Sequence, residues 1–339
     1  MSYRRHHRLH RRDLIRAVLV VLLAAAVLLA GGLLIGRWES RKYATGSTES
    51  GSAVIAGEAE PKELTWQGQI YRQRTGLSTY LLMGIDNQGA AEGVQSYEGG
   101  GQADVQMVLV VDDANQTWQV LQLNRDSIVQ VPVLGVQGQV IGYQEEQLAL
   151  AHYYGDGRES SCENTELAVS MLLQDQPIDG YMAVNMDAVG ILTDMVGGVT
   201  LTVSSDFSAI DPTLVEGETI TLQGDRALTY VRSRTGIDDG TNLARMARQR
   251  QYLTALEQRL RQQDAQFAAK AYDALSDYMV TDIGSKTASK IGEKLKQYTQ
   301  LDLLTIDGEN VVEDEHWAYH LDEDSLQQTI LQLFYKKKE

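Results

Sequence analysis

Aspartates at the ends of two apolar stretches are the first residues that could do chemistry. Asp86 follows the apolar stretch 77–85, Asp104 precedes the apolar stretch 105–111, and a Gly-rich loop over 89–101 separates them. Two carboxylates at neighbouring strand ends can bind a hard divalent cation, and Mg²⁺ commonly combines one or two carboxylates with phosphate oxygens of a substrate. The pattern suggests a magnesium–phosphate site, while capping of turns by the same side chains is the alternative.

Arg125 and Asp126 come directly after a third apolar stretch, 118–123. In α/β folds the loops at strand ends carry ligand-binding groups, and the planar guanidinium of arginine suits bidentate binding of a phosphate. A surface ion pair would explain the same two residues, so this pair alone leaves both interpretations open.

A second group of cations lies between residues 230 and 250. Arg232 and Arg234 occupy a strand-like stretch, in which a period of two points both side chains to one face. In the helical stretch that follows, Arg245 and Gln249 are four residues apart and share a face, with Arg248 beside them. Because a helix N-terminus adds positive potential, a diphosphate is the natural ligand of such a cluster. A solvated helix face is the alternative.

A sheet and its helices must position these residues, because strand-like and helix-like stretches alternate beyond residue 63. Such alternation predicts an α/β fold with a central sheet flanked by helices, and the antiparallel-looking pair within 105–123 makes that sheet mixed. We expect strands at 77–85, 105–111, 118–123, 181–184, 199–203 and 227–232, and a further short element at 301–306. We expect helices at 145–154, 164–173, 187–196, 242–263, within 264–300 and at 323–334.

The distribution of charge argues against one large class of function. The 339 residues carry a formal charge of −16, but residues 1–42 hold nine Lys/Arg against two Asp/Glu, and the remainder holds 21 against 44. Nonspecific binding of nucleic acid requires many phosphate-neutralising cations, so an acidic body of net charge −23 argues against it. Cys162 is the only cysteine, which excludes an intrachain disulfide and a cysteine-based zinc site within one chain. We expect its thiol to be chemically idle.

Residues 17–36 form an uninterrupted apolar run, with six arginines before it and three Lys/Arg shortly after it. At about 1.5 Å per residue the run spans about 30 Å, the thickness of the hydrocarbon core of a bilayer. We expect a transmembrane helix, with residues 1–16 as a basic cytoplasmic tail, 37–62 as a flexible stalk and 63–339 as one extracytoplasmic domain. A cleaved signal peptide is the alternative, although the run is longer than the usual apolar region of about 7–15 residues.

The order of several short motifs resembles the LytR-CpsA-Psr family of cell-wall glycopolymer transferases. The resemblance covers residues 77–260 and extends to the N-terminal apolar run, and it rests on the motifs together, since each alone is weak. The motifs occupy residues 82–86 (LMGID), 103–104 (AD), 124–126 (NRD), 151–155 (AHYYG), 196–199 (VGGV), 224–228 (GDRAL), 230–234 (YVRSR) and 245–249 (RMARQ).

This resemblance implies a function and a set of ligands. It implies transfer of a glycopolymer from a polyprenyl-pyrophosphate-linked precursor to a peptidoglycan hydroxyl outside the cytoplasmic membrane, by Mg²⁺-assisted phosphotransfer, and an apolar groove for the polyprenyl chain. Carried over residue by residue, it implies Mg²⁺ ligands at Asp86 and Asp104. The implied pyrophosphate-binding residues are Arg125, Arg232, Arg234, Arg245 and Gln249, with Arg248 as a less certain contact, and the implied catalytic residues are Arg125, Asp126, Arg232 and Arg234.

Three positions depart from the family pattern. The lysine that commonly precedes the helix ending near Gly155 is not evident around residues 146–148, and the other two departures keep a second function open. Gln102 stands where the family often has arginine, and Asn242 stands where it often has aspartate. The missing aspartate leaves the general base undetermined, with Asp126, Asp238 and Asp239 as candidates. A non-catalytic binding or regulatory protein for polyprenyl-pyrophosphate lipids is therefore the alternative. A membrane-anchored transcription attenuator is disfavoured, because the cytoplasmic tail is too short to fold as a DNA-binding domain.

Overall fold

The computed structural model describes residues 61–94, 99–260, 262–263, 267–313 and 315–338. The predicted cytoplasmic tail, the predicted transmembrane helix and nearly all of the predicted stalk lie outside these residues. No helix within the described ranges combines the length and the hydropathy that a membrane span requires.

The described residues form fifteen strands and eight helices, with a 3-10 turn at Ser276–Tyr278. The strands are β1 Glu63–Trp66, β2 Gln69–Gln73, β3 Leu77–Ile85, β4 Ala103–Asp112, β5 Thr117–Leu123, β6 Ile128–Leu134, β7 Val140–Gln147, β8 Gly180–Asn185, β9 Val199–Thr202, β10 Thr219–Leu222, β11 Met279–Thr281, β12 Thr299–Gln300, β13 Gly308–Glu313, β14 His316–Leu321 and β15 Tyr335–Lys337. The helices are α1 Leu150–Tyr153, α2 Glu159–Leu172, α3 Asp187–Met195, α4 Gly224–Arg232, α5 Asn242–Leu260, α6 Phe267–Leu275, α7 Ser285–Gln297 and α8 Glu323–Phe334.

A six-stranded sheet in the order β11-β8-β3-β4-β5-β12 forms the centre of the domain. β3 pairs antiparallel with β4 and parallel with β8, and β4 pairs antiparallel with β5. The apolar sequence of β3 explains its central position, because a strand that is covered on both faces has an almost continuous run of apolar residues. The prediction of a mixed central sheet is confirmed.

Alternate side chains of the central strands contribute to two separate apolar cores, since successive residues of a strand point to opposite faces. Leu82 and Met107 belong to the core beneath α3 to α7. Leu81 and Val108 belong to the core beneath α1, α2 and α8. Helices therefore cover both faces of the sheet, as the α/β prediction requires.

The chain enters the domain at the end of the central sheet where β3 begins. β1 and β2 form a small sheet with β15. Immediately after β2, the backbone N–H of Arg74 donates to Phe334 O at the end of α8 (2.8 Å), and its guanidinium lies 3.5 Å from the carboxylate of Asp112. Asp112 pairs in turn with Leu77, the first residue of β3. The small β1-β2-β15 sheet is thus fixed to the starting end of β3.

Two predicted elements have the observed bounds for identifiable physical reasons. The strand at 77–85 is bounded by Gly76, which has a φ of +77°, and by Asp86. The helix at 323–334 begins where the side chain of Asp322 accepts a hydrogen bond from Ser325 N at 2.7 Å. Such a cap satisfies one of the backbone donors that the first turn of a helix leaves free.

Three predicted elements are wrong in type or extent. Residues 227–232 belong to helix α4 and not to a strand, because Ala227, Tyr230 and Val231 are buried at helical spacing. Residues 145–147 end strand β7, which pairs with β6, so the predicted helix at 145–154 is reduced to α1. The stretch 264–300 contains the edge strand β11 in addition to helices.

His152 in α1 is a buried histidine that packs beside the single thiol. Its Nδ1 lies 3.0 Å from Gly101 O, and its Nε2 lies 3.9 Å from Cys162 Sγ. Burial lowers the pKa of His152 to about 4, although the backbone contact with Gly101 opposes the shift. Burial also raises the pKa of the Cys162 thiol, so the thiol stays protonated, as the expectation of an idle cysteine requires.

Acidification from pH 6.5 to pH 4 should destabilise the protein through His152. The folded-state pKa of His152 is depressed, so the unfolded chain binds more protons than the folded protein in this window. The free energy of unfolding therefore decreases as the pH is lowered, by roughly 3 kcal/mol in all. Urea unfolding at a series of pH values measures the slope. His152→Gln should flatten it and His316→Gln, at an exposed position, should not. Equal slopes in wild-type and His152→Gln protein would contradict the assignment.

Candidate active site

Several chain segments meet where β3 ends and β4 begins. The backbone N–H of Asp86 donates to Gln102 O at 2.9 Å, which brings Asp86 beside the start of β4 and Asp104. The end of β5 supplies Arg125, the end of α4 supplies Arg232, and the start of α5 completes the cluster. Charged groups at five separate secondary-structure elements therefore converge at one end of the central sheet.

Asp104 is buried and holds two arginines. Its Oδ1 accepts a hydrogen bond from Arg125 Nη1, and its Oδ2 accepts one from Arg245 Nη1 at 2.7 Å. Only 3% of the Asp104 side chain is exposed. Removing this carboxylate would leave two guanidinium groups close together in a poorly solvated place, which is strongly destabilising.

Asp126 is fully buried and bridges Arg125 and Arg234. Arg234 Nη2 lies 2.8 Å from Asp126 Oδ2, and Arg125 Nε lies 3.2 Å from Asp126 Oδ1. Arg234 also donates from Nε to Gly240 O at 2.9 Å. Both oxygens face guanidinium groups and neither reaches solvent. This geometry indicates a positioning role for Asp126, and its predicted catalytic role remains a prediction.

Arg232 and Asp86 form the most accessible pair of the cluster, with 2.8 Å between Arg232 Nη2 and Asp86 Oδ1. Their side chains are 39% and 31% exposed, so solvent screens this ion pair. Burial raises the pKa of Asp86 and the nearby Asp104 carboxylate raises it further, whereas Arg232 lowers it. An incoming anion can reach a guanidinium most readily at this pair.

Asn242 is an integral part of the cluster although it carries no charge. Its Oδ1 accepts hydrogen bonds from Arg245 Nε at 3.0 Å and from Arg245 Nη2 at 2.7 Å. Its Nδ2 donates to Asn124 Oδ1 at 2.7 Å. The amide therefore provides the acceptor that an aspartate would provide to Arg245, and the side chain is held from both ends.

Two further amides, Gln102 and Gln147, complete the contacts of Arg125. Arg125 Nη2 donates to Gln102 Oε1 at 2.5 Å and lies 3.4 Å from Gln147 Oε1. Gln147 also donates to the backbone oxygen of Trp317 in β14. The sequence singled out Gln102 only as a departure from the family pattern. It gave no signal for Gln147, because residues 145–147 at the end of β7 were predicted to be helical and a lone glutamine marks no particular chemistry.

Arg248 is placed differently from the other predicted arginines. It is buried, its Nη1 lies 2.5 Å from Asp238 Oδ2, and its Nη2 donates to Ser233 O. Its guanidinium carbon lies 5.5 Å from the centre of the Phe207 ring, a distance typical of a cation–π contact. These contacts make Arg248 an anchor for the loop between α4 and α5, and its predicted contact with a pyrophosphate remains a prediction.

Asp238 and Asp239 hold the same loop. Asp238 accepts from Ser205 Oγ at 2.8 Å as well as from Arg248. Asp239 accepts from Thr241 N at 2.9 Å and from Thr241 Oγ1 at 2.7 Å, and these hydrogen bonds lower the pKa of Asp239. Both carboxylates therefore have defined structural partners at the approach to α5.

An apolar cavity of about 880 Å³, counting the space at its open mouth, adjoins the charged cluster. Apart from Asn185, Gln249 and Tyr252, the residues that line it are apolar or glycine. The amide oxygen of Gln249 is buried without a hydrogen-bond partner. Four lining residues lie one to four positions along the chain from charged residues of the cluster: Gly84 with Asp86, Val105 with Asp104, Val231 with Arg232, and Gln249 with Arg245.

The residues present fit a magnesium ion that shares its coordination with a ligand. Asp86 and Asp104 lie at the same junction, because the backbone N–H of Asp86 donates to Gln102 O at 2.9 Å, two residues before Asp104. No group of three or more His, Cys, Asp or Glu in the described ranges could hold a metal. Mg²⁺ takes one or two carboxylates and completes its shell with water and phosphate. Because both oxygens of Asp104 contact arginines, a metal would have to displace one of these contacts.

Replacing Asp126 should destabilise the fold severely. Asp126→Ala leaves Arg125 and Arg234 without their shared counter-ion, and breaking a buried ion pair costs about 3–5 kcal/mol. Asp113→Ala is the matched control, since Asp113 is 42% exposed and pairs with Lys294 at 2.7 Å, and it should cost less than about 1 kcal/mol. Urea unfolding compares the two variants, and similar losses in both would refute the special status of Asp126.

Known proteins with a similar sequence or fold include cell-wall enzymes of several bacteria. The polyisoprenyl-teichoic acid–peptidoglycan teichoic acid transferase TagU of Halalkalibacterium halodurans is 30% identical over 188 residues, which are 54% of this chain and 56% of that protein. The corresponding transferase TagV of Bacillus subtilis is 27% identical over 249 residues, which are 71% of this chain and 57% of that protein. The chain thus spans slightly more than half the length of these two relatives.

The fold and the sequence pattern agree with these relatives. The crystal structure of Bacillus subtilis TagV superposes with a TM-score of 0.57 at 24% identity, covering 77% of this chain and 96% of that one. The model of the LytR_cpsA_psr family matches residues 42–334. This match extends over most of the chain and includes every element of the charged cluster. The protein therefore belongs to the LytR_cpsA_psr family.

Proposed function

We propose that this protein transfers a glycopolymer from a polyprenyl-pyrophosphate-linked precursor to peptidoglycan outside the cytoplasmic membrane, with Mg²⁺ as its cofactor. Family membership and relatives named as teichoic acid transferases support a transferase. The proposal includes a single-pass membrane anchor at residues 17–36 with a cytoplasmic N-terminus, for which the basic residues before the apolar run are the support.

One observation carries the proposal: cationic groups sit at the edge of an apolar cavity. The same four elements, β3, β4, α4 and α5, supply both the cavity wall and the charged cluster. A ligand that spans the two regions needs an apolar chain joined directly to a strongly anionic head. A polyprenyl pyrophosphate has that constitution, whereas a free nucleotide or a free sugar phosphate would leave the cavity unfilled.

In the proposed reaction an acceptor hydroxyl of peptidoglycan attacks the phosphorus that carries the glycopolymer. A phosphorus–oxygen bond to the acceptor forms, and the bond between that phosphorus and the bridging oxygen breaks. Polyprenyl monophosphate leaves with the bridging oxygen, and the hydroxyl proton passes to solvent or to a carboxylate. Arg125, Arg232, Arg234 and Arg245 would bind the pyrophosphate and offset the charge that develops on the leaving phosphate.

The missing aspartate at position 242 does not prevent such chemistry. Enzymes that transfer phosphoryl groups depend mainly on positioning the reactants and on electrostatic stabilisation of the phosphoryl oxygens. The arginines of the cluster would supply both. Mg²⁺, when held by Asp86 and Asp104, would supply additional positive charge to the phosphate oxygens.

A second candidate function is a protein that binds polyprenyl-pyrophosphate lipids without turning them over. The observation that favours it is the absence of a free carboxylate at the centre of the cluster, where Asn242 replaces the aspartate of the family pattern and Asp126 is held in ion pairs. Binding would then serve regulation or storage of the lipid-linked precursor. The two functions share the lipid ligand and differ in product formation.

The deciding experiment measures coupled product. Full-length protein in lipid vesicles would receive a synthetic polyprenyl-pyrophosphate saccharide, peptidoglycan oligomers and Mg²⁺, and mass spectrometry would detect the phosphodiester product. Arg232→Ala and Asp104→Ala should each lower product formation by about 100-fold or more, and chelation of Mg²⁺ should do the same. Arg74→Ala, which removes an arginine at the opposite end of the sheet, should leave it unchanged. Lipid binding that depends on Arg232 without product from any acceptor would establish the binding protein instead.

Restoring the family carboxylate should impair binding of the lipid more than it changes catalysis. Asn242→Asp places a second anion beside Arg245 and weakens the attraction of the cluster for a pyrophosphate. We expect KM for the lipid donor to rise roughly tenfold, which corresponds to about 1.4 kcal/mol, while kcat changes by less than about threefold because electrostatic stabilisation by the arginines is retained. Steady-state kinetics separates the two constants. A tenfold rise in kcat would show instead that a general base limits the wild-type protein.

A further inference from the structure

The β6–β7 hairpin is unusual in composition for this chain. Residues 127–144 contain no Asp, Glu, Lys, Arg or His, although charged residues make up 22% of the sequence. The uncharged stretch is bounded by Asp126 in the charged cluster and by Glu145. A surface stretch of eighteen residues without charge is not adapted simply to contact water.

Large apolar side chains are concentrated on the surface of this hairpin. Val136 is 90% exposed, Ile141 is 65% exposed and Tyr143 is 53% exposed, and Val140 is also exposed. Ile141 and Tyr143 point to the same face by the period of two of a strand. Four of the ten exposed large apolar side chains in the described residues therefore lie within eight positions of one hairpin. Clustered exposure of this kind marks an interaction surface, whereas single exposed apolar residues do not.

Both ends of the hairpin are attached to the charged cluster. β6 begins at Ile128, two residues after Asp126, and Gln147 at the end of β7 contacts Arg125 at 3.4 Å. Gln147 also joins β7 to the neighbouring β13–β14 hairpin, where Val312 is 61% exposed. The two strand ends that carry the hairpin thus lie beside the arginines, and the exposed apolar side chains lie towards its turn.

The chain enters the domain at the other end of the central sheet, where β3 begins. The nine residues of β3 separate this entry from Asp86, a distance of about 30 Å at 3.3 Å per residue. Residues 37–62 could extend to at most about 90 Å. That length is sufficient for the domain to turn the charged cluster towards the membrane into which residues 17–36 are predicted to insert.

We propose that the β6–β7 hairpin docks on the lipid bilayer and holds the mouth of the site against the membrane surface. The proposal rests on the proposed function in one respect, because the polyprenyl chain of the donor is embedded in that membrane. Exposed branched apolar side chains beside a tyrosine are suited to the boundary between headgroups and acyl chains.

Charge also favours a bilayer contact made through this hairpin. The chain beyond residue 42 has a net charge of −23, so an anionic membrane surface repels the domain as a whole. The uncharged stretch 127–144 of this hairpin is the part of the surface on which this repulsion acts least, and its attachment depends on apolar area. Docking should therefore persist at high salt, unlike attachment through a basic patch.

A fluorescent label on the hairpin tests the proposal in the full-length protein. Val136→Cys introduces a reactive thiol at an exposed position, while the native Cys162 is fully buried and stays unlabelled. An environment-sensitive fluorophore would be attached at position 136, and the protein would be reconstituted in phosphatidylcholine vesicles that contain spin-labelled lipids. Ile210→Cys, at a position 43% exposed, is the matched control.

The label at position 136 should emit at shorter wavelength and be quenched by the spin-labelled lipids at least about twofold more than the label at position 210, in low and high salt alike. Equal quenching at the two positions overturns the proposal. Energy transfer between labels on different copies would assign the surface to a second copy of the chain, and shielding only by added peptidoglycan fragments would assign it to the acceptor. Either result also overturns it.

A second measurement separates this proposal from the proposed function. Ile141→Glu should reduce lipid quenching of the label at position 136, and it should reduce transfer from a membrane-embedded donor severalfold. It should leave transfer from a short-chain, water-soluble donor unchanged. Lipid quenching without any glycopolymer transfer would support the docking surface and reject the transferase. Glycopolymer transfer that is unaffected by Ile141→Glu, together with no lipid quenching, would support the transferase and reject the docking surface.

Discussion

Two buried carboxylates, each shared between two arginines, are the constraint on which this site depends. Asp104 holds Arg125 and Arg245, and Asp126 holds Arg125 and Arg234. Without these anions the guanidinium groups would repel one another in a poorly solvated place, where effective electrostatic interactions are much stronger than in water. Arg125 belongs to both pairs, so a single residue after β5 links the start of β4 to the loop before α5.

This arrangement prepares the arginines for an anionic ligand without leaving them unpaired in its absence. Arg125 and Arg245 are held at fixed orientations by carboxylate and amide oxygens, and groups that are already oriented lose less entropy when a ligand binds. Arg232 is different, because its ion pair with Asp86 is partly exposed and screened by solvent. The cluster thus combines a rigid buried part with one accessible arginine, next to an apolar cavity.

Some secondary-structure elements and site residues could be predicted from the sequence and others could not, and the reason lies in the interaction that fixes each one. The strand at 77–85 and the helix at 323–334 were predictable because burial on two faces and an N-terminal cap leave local patterns. The type of α4 was not, since a short apolar stretch fits a strand or a helix and only its packing on α3 and α5 decides. The arginines could be named from their types and motifs. Their partners could not, because the pairing of Arg234 with Asp126 joins positions 108 residues apart and no local pattern encodes such a contact.

Gln102 and Asn242, the two amides that the sequence resemblance singled out, are physically connected. Both amides belong to one continuous network, in which Gln102 contacts Arg125, Arg125 and Arg245 share Asp104, and Arg245 contacts Asn242. Each amide offers its oxygen to a guanidinium group without adding charge to a buried place, where an unpaired charge is costly. The amides therefore orient Arg125 and Arg245 while leaving their positive charge less offset than further carboxylates would, which favours binding of an anion.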